Sequence, residues 1–205
     1  MSPRSGTSAR GAGRVIAGTA RGLRLEAPPG EARPLGDRLK EALFAMLEPE
    51  LRGCSFLDLF AGSGAAGIEA LSRGASRAVF IDRDPAAIAT ISRNVAAARV
   101  GEGAVMRRAE AVEWLRTRGA DQGAFDVVLA DPPYDDADSL GNVLSAISSA
   151  GPGRLLAHAG VIVAKHGRRS GPAARIGLLA SVRERQFGES ALTFLRWAAD
   201  DQETP

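Results

Sequence analysis

With 205 residues and 45% hydrophobic content, the chain is long enough for one sizeable domain with a substantial buried core. A lone cysteine, Cys54, excludes an intramolecular disulfide and points to a reducing compartment. No apolar run approaches the ~20 residues needed to span a bilayer, and no apolar segment follows the N-terminal arginines as it would in a secretory signal, so a cytoplasmic protein without membrane association is expected.

The net charge of +2 hides an uneven distribution. The first 40 residues hold eight basic side chains (Arg4, Arg10, Arg14, Arg21, Arg24, Arg33, Arg38, Lys40) against three acidic ones (Glu26, Glu31, Asp37). An acidic polymer is the partner such an asymmetry suits, although a solvated basic arm would look the same.

Residues 1–13 have too little apolar content to fold alone. Residues 14–18 and 22–26 read as two short strands joined by a turn, a hairpin that displays arginines. Pro28, Pro29 and Gly30 then break the pattern. A helix is predicted from Asp37, its N-cap, through Leu39, Ala42, Leu43, Met46 and Leu47 to a stop before Pro49. Residues 1–36 are therefore expected to form a basic arm and β-hairpin extension, and residues 37–205 the main domain.

From there strand and helix alternate. Residues 55–60 read as a strand that runs into a loop over 61–67, followed by a helix through Ile68, Ala70 and Leu71 to Arg73-Gly74, a strand over 77–81 ending on Asp82, and a helix over 85–95 with Pro85 in its first turn. A strand over 104–107 and a helix over 111–118 follow, then a buried strand over 127–130, a helix over 140–147 and a strand over 160–165. The segments 176–186 and 191–197 are close enough to pair as an antiparallel hairpin at a sheet edge. The pattern predicts an α/β fold, a doubly wound, mostly parallel sheet closed by that hairpin.

Two stretches carry chemistry. Gly62-Ser63-Gly64-Ala65-Ala66-Gly67 fits G-x-G-x-x-G between a strand and a helix, and Asp82 ends the next strand twenty residues after Gly62. Glycines admit close approach of a ligand to the backbone, and an acid at the end of the second strand can accept the hydroxyls of a ribose. An adenosine-bearing cofactor is expected. A dinucleotide would use the same loop, but Asp58, just before it, would repel a pyrophosphate and can instead hold the ammonium of a methionine moiety. Glu110 can accept from an adenine amino group, or can simply start a helix. Together with the tetrapeptide over residues 131–134, these residues favour S-adenosylmethionine over NAD. The second stretch is Asp131-Pro132-Pro133-Tyr134, where proline removes ladder donors and forces the chain to turn at a strand end, the place where ligands bind in open α/β sheets.

The runs Asp58-Leu59-Phe60-Ala61-Gly62-Ser63-Gly64, Glu69-Ala70-Leu71-Ser72-Arg73-Gly74-Ala75 and Asp131-Pro132-Pro133-Tyr134 resemble class I methyltransferases that modify exocyclic amines of nucleic-acid bases. Arg14-Val15-Ile16-Ala17-Gly18, Ala27-Pro28-Pro29-Gly30, Arg33-Pro34, Asp37-Arg38 and Lys40-Glu41-Ala42-Leu43-Phe44 narrow the resemblance to the RsmD-like family of small-subunit (16S) rRNA guanine-N2 methyltransferases. The resemblance spans residues 14 to about 197. It implies a Rossmann-like, seven-stranded sheet and S-adenosylmethionine as methyl donor. The implied cofactor residues are Asp58, Phe60, Ala61, Gly62, Ser63, Gly64, Gly67, Asp82, Arg83, Glu110 and Ala111, and the implied catalytic residues Asp131, Pro132, Pro133 and Tyr134.

Ribosomal RNA or the small ribosomal subunit is the expected partner, held by Arg14, Arg21, Arg24, Arg33, Arg38 and Lys40, with Lys165, His166, Arg168 and Arg169 as a second basic cluster. A monomer is expected. No metal is expected either, because His158 and His166 have no acid or cysteine at ligand spacing. Departures from the family pattern are Leu35 and Gly36 in place of two hydroxyl residues, Phe187 in place of a tyrosine, and Lys165-His166 in place of an acidic residue. A DNA adenine-N6 methyltransferase, a protein glutamine methyltransferase and a non-catalytic RNA-binding assembly factor with the same fold are the rival readings.

Overall fold

The computed structural model describes residues 11–29, 36–133 and 137–199. Its framework is a run of short apolar strands: β1 (Ser55–Asp58), β2 (Arg77–Asp82), β3 (Ala104–Arg108) and β4 (Phe125–Ala130). β1, β2 and β4 are buried on nearly every residue, as parallel strands covered on both faces must be. β1 pairs in parallel with β2 through Leu57↔Val79 and with β4 through Leu57↔Val128. Beyond β4 come β5 (Leu156–Gly167), which is parallel to β4, and β8 (Ser190–Trp197), which is antiparallel to β5. With β6 (Arg175–Ile176) and β7 (Leu179–Phe187) at the far edge, the order is β3-β2-β1-β4-β5-β8-β7-β6.

Among the described residues the sheet has eight strands where the resemblance implied seven. The predicted strand over 176–186 is broken at Gly177, whose φ of +55° turns the chain over Ser148. The two-residue β6 (Arg175–Ile176) on one side of this turn pairs back on β7 (Leu179–Phe187) on the other.

Side chains alternate across the sheet with a period of two. Phe56, Phe80, Val127 and Leu129 face α1 (Asp37–Leu51), α2 (Ala65–Ser72) and α3 (Pro85–Ala98). Leu57, Val79, Ile81 and Val128 face α4 (Ala111–Thr117) and α5 (Ala137–Ala150). α1 runs through Pro49 rather than stopping before it. Leu47 and Leu51, one turn apart and both buried, hold the last turn in the core despite the hydrogen bond that proline removes. Gly36 occupies the N-cap position predicted for Asp37. The Asp37 carboxylate accepts instead from the Arg14 N–H at 3.3 Å, and it pairs with the Arg14 guanidinium at 3.6 Å.

The N-terminal hairpin is less regular than predicted, with a single antiparallel bridge, Arg14↔Arg24, in place of two strands. The N–H groups of Ala12, Val15, Gly22 and Leu25 still donate across the hairpin, but four others near its tip go to α2. The N–H groups of Ile16 and Ala17 reach the Glu69 carboxylate at 2.7 and 3.0 Å, and those of Thr19 and Ala20 reach the Ser72 carbonyl and hydroxyl at 2.8 and 2.9 Å. Glu69 is fully buried, pairs with the Arg73 Nε at 2.8 Å and lies 3.9 Å from the buried Lys40 Nζ. Ala12, Val15 and Leu25 join the same core cluster as α1 and α2. Replacing Glu69 would remove the fully buried carboxylate beside Lys40 and leave two N–H groups without their acceptor. Glu69→Ala is expected to lose about 3–5 kcal/mol of stability, read by urea denaturation; a loss below about 1 kcal/mol would show that the carboxylate is not what anchors the hairpin.

Candidate active site

β1 ends on Asp58, and the loop that follows is pinned by both neighbouring strands. The Leu59 N–H donates to the Leu129 carbonyl on the β4 side at 3.1 Å, and the Ala61 N–H to the Ile81 carbonyl on the β2 side at 3.0 Å. Gly64 takes φ +79° at the N-cap of α2, a left-handed conformation that favours glycine. Gly67 answers a different need, since a Cβ there would sit 2.3 Å from the Phe80 ring, so only glycine lets α2 lie this close to β2. Asp58 is buried, and its Oδ2 accepts from the Gly67 N–H at 3.3 Å. Phe60 and Gly62 are half-buried, and Ala61 and Ser63 are buried.

Asp82, at the end of β2, uses both oxygens on the backbone: Oδ2 accepts from the Gly62 N–H at 2.8 Å and Oδ1 from the Asp84 N–H at 2.9 Å. The side chain expected to meet a ribose thus also fixes the glycine loop, and each oxygen retains a second lone pair. The Ala109 N–H donates to the Asp82 carbonyl at 3.0 Å, which brings Glu110 and Ala111 to the same edge of the sheet. Glu110 is exposed and caps α4, accepting from the N–H groups of Val112 and Glu113 at 3.1 and 2.7 Å. Ala111 is buried behind it, and Arg83 is exposed beside Asp82.

Asp131 follows β4 directly, across the point where strand order reverses between β1 and β4. The pairing Ala130↔Ala164 sets it beside Lys165, whose Nζ donates to Asp131 Oδ1 at 2.6 Å. Burial pushes the Asp131 carboxyl above its ordinary range, and the Lys165 ammonium acts in the opposite direction. Pro132 is buried and Pro133 exposed, while Tyr134 lies outside the described residues.

The basic sets divide. Arg14, Arg21, Arg24 and Arg38 are exposed, and Arg33 lies outside the described residues. Lys40 must be withdrawn from the RNA-facing set: its side chain is fully buried, its Nζ donates to the Arg14 carbonyl at 2.5 Å, and helical spacing puts it on the core face of α1 with Leu43, Phe44 and Leu47. The second cluster also splits, with Arg168 and Arg169 exposed, Lys165 turned to Asp131, and the buried His166 bonded through Nε2 to Thr193 Oγ1 at 2.8 Å. Among the described residues, no group of three or more His, Cys, Asp or Glu gathers to hold a metal, and no helix is long and apolar enough to cross a membrane.

Two residues that the motifs do not name complete the site. Asn94, buried in α3, donates to the Ser63 and Glu26 carbonyls, both at 2.9 Å, and accepts from the Glu26 N–H at 2.9 Å, tying the glycine loop to the N-terminal extension. Its signal in the sequence is an amide on the apolar stripe of Ile91, Val95 and Ala98. Lys165 has no local signal of its role.

The family described as "Conserved hypothetical protein 95" matches residues 13–196. The chain belongs to this family. Relatives include Bacillus subtilis YlbH, 36% identical over 176 residues that cover 85% of this chain and 94% of the relative. Haemophilus influenzae ribosomal RNA small subunit methyltransferase D is 38% identical over 129 residues, 62% of this chain and 66% of the relative. The solved structure of Escherichia coli yhhF superposes with a TM-score of 0.77 at 29% identity, covering 90% of this chain and 97% of that one. The family membership agrees with the RsmD-like resemblance of the motifs, and the neighbouring structures agree with the class I methyltransferase fold.

The Lys165 contact has a measurable consequence. Because the ammonium favours the ionised carboxylate, Lys165→Gln should move the Asp131 titration to higher pH, as followed by carboxyl ¹³C NMR, and Lys165→Arg should restore most of the shift. An Asp131 titration unmoved in Lys165→Gln would mean that the pair is not formed in solution.

Proposed function

We propose that this protein transfers a methyl group from S-adenosylmethionine to the exocyclic N2 of a guanine in small-subunit ribosomal RNA. The observation that carries this reading is the placement of Asp131, a carboxylate backed by Lys165, next to the glycine loop and Asp58 at the reversal point of the sheet. Membership of a family that includes a ribosomal RNA small subunit methyltransferase D supports the RNA substrate.

The residues fit the cofactor. The loop over 61–64 opens the N-terminus of α2, Asp58 provides a buried anion for an ammonium, and Asp82 ends β2 with lone pairs to spare for ribose hydroxyls. Bound there, S-adenosylmethionine would supply an electrophilic methyl group.

The protein's task is to present the nitrogen. The N2 amine of guanine is a poor nucleophile because its lone pair is delocalised into the ring. With Lys165 on Oδ1, the Asp131 carboxylate keeps Oδ2 for one N–H of the amine, and the Pro132 carbonyl accepts the other. The nitrogen is drawn toward a pyramidal geometry with its lone pair toward the methyl group. Alignment of this kind is worth ~7–11 kcal/mol. Stacking on the base is the role the family resemblance implies for Tyr134, and the base must first leave its own stack at a cost on the order of a few kcal/mol. After transfer the nitrogen is acidic, and its proton passes to Asp131 or to water.

Incubation with labelled S-adenosylmethionine and unmodified small subunits or naked rRNA, followed by nucleoside digestion, should yield N2-methylguanosine. N6-methyladenosine would overturn the base assignment in favour of an adenine methyltransferase, and absence of cofactor binding would favour a non-catalytic RNA-binding factor. Asp131→Ala should keep cofactor affinity but lose turnover by about 100-fold or more. Full activity in that variant would remove Asp131 from the mechanism.

A further inference from the structure

The C-terminal hairpin carries a basic surface that lies outside both sets named above. β7 is exposed throughout residues 181–186, and β6 pairs only with Leu179 and Ala180. Across the sheet, Lys165 of β5 is paired with Leu192 of β8, and Leu192 with Arg185 of β7. Arg183 is paired with Phe194 and lies over its ring, 6.0 Å from the centroid. Paired residues share a face, so Arg183 and Arg185 project on the side of the sheet that carries Lys165 and its contact with Asp131. At ~4.8 Å per strand step, Arg185 lies two strands, about 10 Å, from Lys165.

Alternation segregates the charge. Glu184 points to the opposite face, where its Oε2 is 3.4 Å from Thr193 Oγ1. Among the described residues, neither Arg183 nor Arg185 is ion-paired with a carboxylate. A pair of guanidinium groups on an uncovered strand, in a row that ends at the reacting carboxylate, suits phosphate oxygens spaced along a polynucleotide.

We infer that Arg183 and Arg185 bind backbone phosphates of the RNA strand that carries the target base, an inference that rests on the RNA-methyltransferase reading above. They would complement the N-terminal arginines from the other side of Asp131, and they would position the strand without reading its sequence.

The test measures binding of an unmodified small-subunit rRNA transcript across a salt series, with S-adenosylmethionine affinity as the control for folding. The double variant Arg183→Gln/Arg185→Gln should bind the transcript on the order of tenfold more weakly at about 0.1 M salt, with the slope of log K against log salt reduced by about 1.4, and cofactor affinity should be unchanged. Arg183 packs on Phe194, so Arg185→Gln alone, which leaves that contact in place, serves as the second variant and should reduce the slope by about 0.7. Wild-type affinity and slope in the variants would overturn the inference while leaving the functional reading intact. Failure of the wild-type protein to bind either the transcript or unmodified small subunits would overturn the functional reading, and the inference with it.

Discussion

The site depends on one constraint: β1 is paired in parallel on both sides, with β2 through Asp58↔Phe80 and with β4 through Asp58↔Leu129. Parallel neighbours finish at the same edge of a sheet, so the carboxylates that end these strands, Asp58, Asp82 and Asp131, are gathered at one rim. Three acids in one region would repel one another if left bare. Each is instead given donors: Gly67 N–H for Asp58, the N–H groups of Gly62 and Asp84 for Asp82, and the Lys165 ammonium for Asp131. Two of these acids thereby shape the glycine loop and the start of α2 before any ligand arrives. That is the pre-organisation on which catalysis by positioning relies.

The N-terminal extension is joined to this rim through buried polar contacts rather than through sheet pairing. Glu69 and Ser72 on α2 take four of its backbone donors, and Asn94 on α3 connects Glu26 to the carbonyl of Ser63 in the glycine loop. A buried carboxylate is costly unless it is paired and hydrogen-bonded, and Glu69 is both. The extension and its exposed arginines are therefore held in a defined place relative to the loop. Under the proposed function, this placement would let the exposed arginines and Asp131 act on the same strand of RNA.

Much of this architecture was legible from residue pattern alone. Continuous apolar runs marked β1, β2 and β4 because strands covered on both faces need them, and Pro85 behind Asp84 marked the start of α3, where the Asp84 side chain accepts from the Ala86 N–H at 2.8 Å. Less legible were features in which a local preference lost to tertiary burial. Leu51 carried α1 past Pro49, and Glu69 drew the Ile16 and Ala17 N–H groups away from a regular hairpin ladder. Gly177, standing over Ser148, divided a predicted strand in two.

By itself, the sequence determined the alternation of strand and helix, the glycine turn and the acids that end the strands, because each follows from what a few neighbouring residues require of the backbone. Only the tertiary structure decided which charges face which. Lys40 lies in the core and not on a basic surface; Lys165 meets Asp131 from 34 residues away; Arg183 and Arg185 share its face of the sheet. Those outcomes are set by helix facing and strand register, and register is a relation between distant segments that local pattern does not contain.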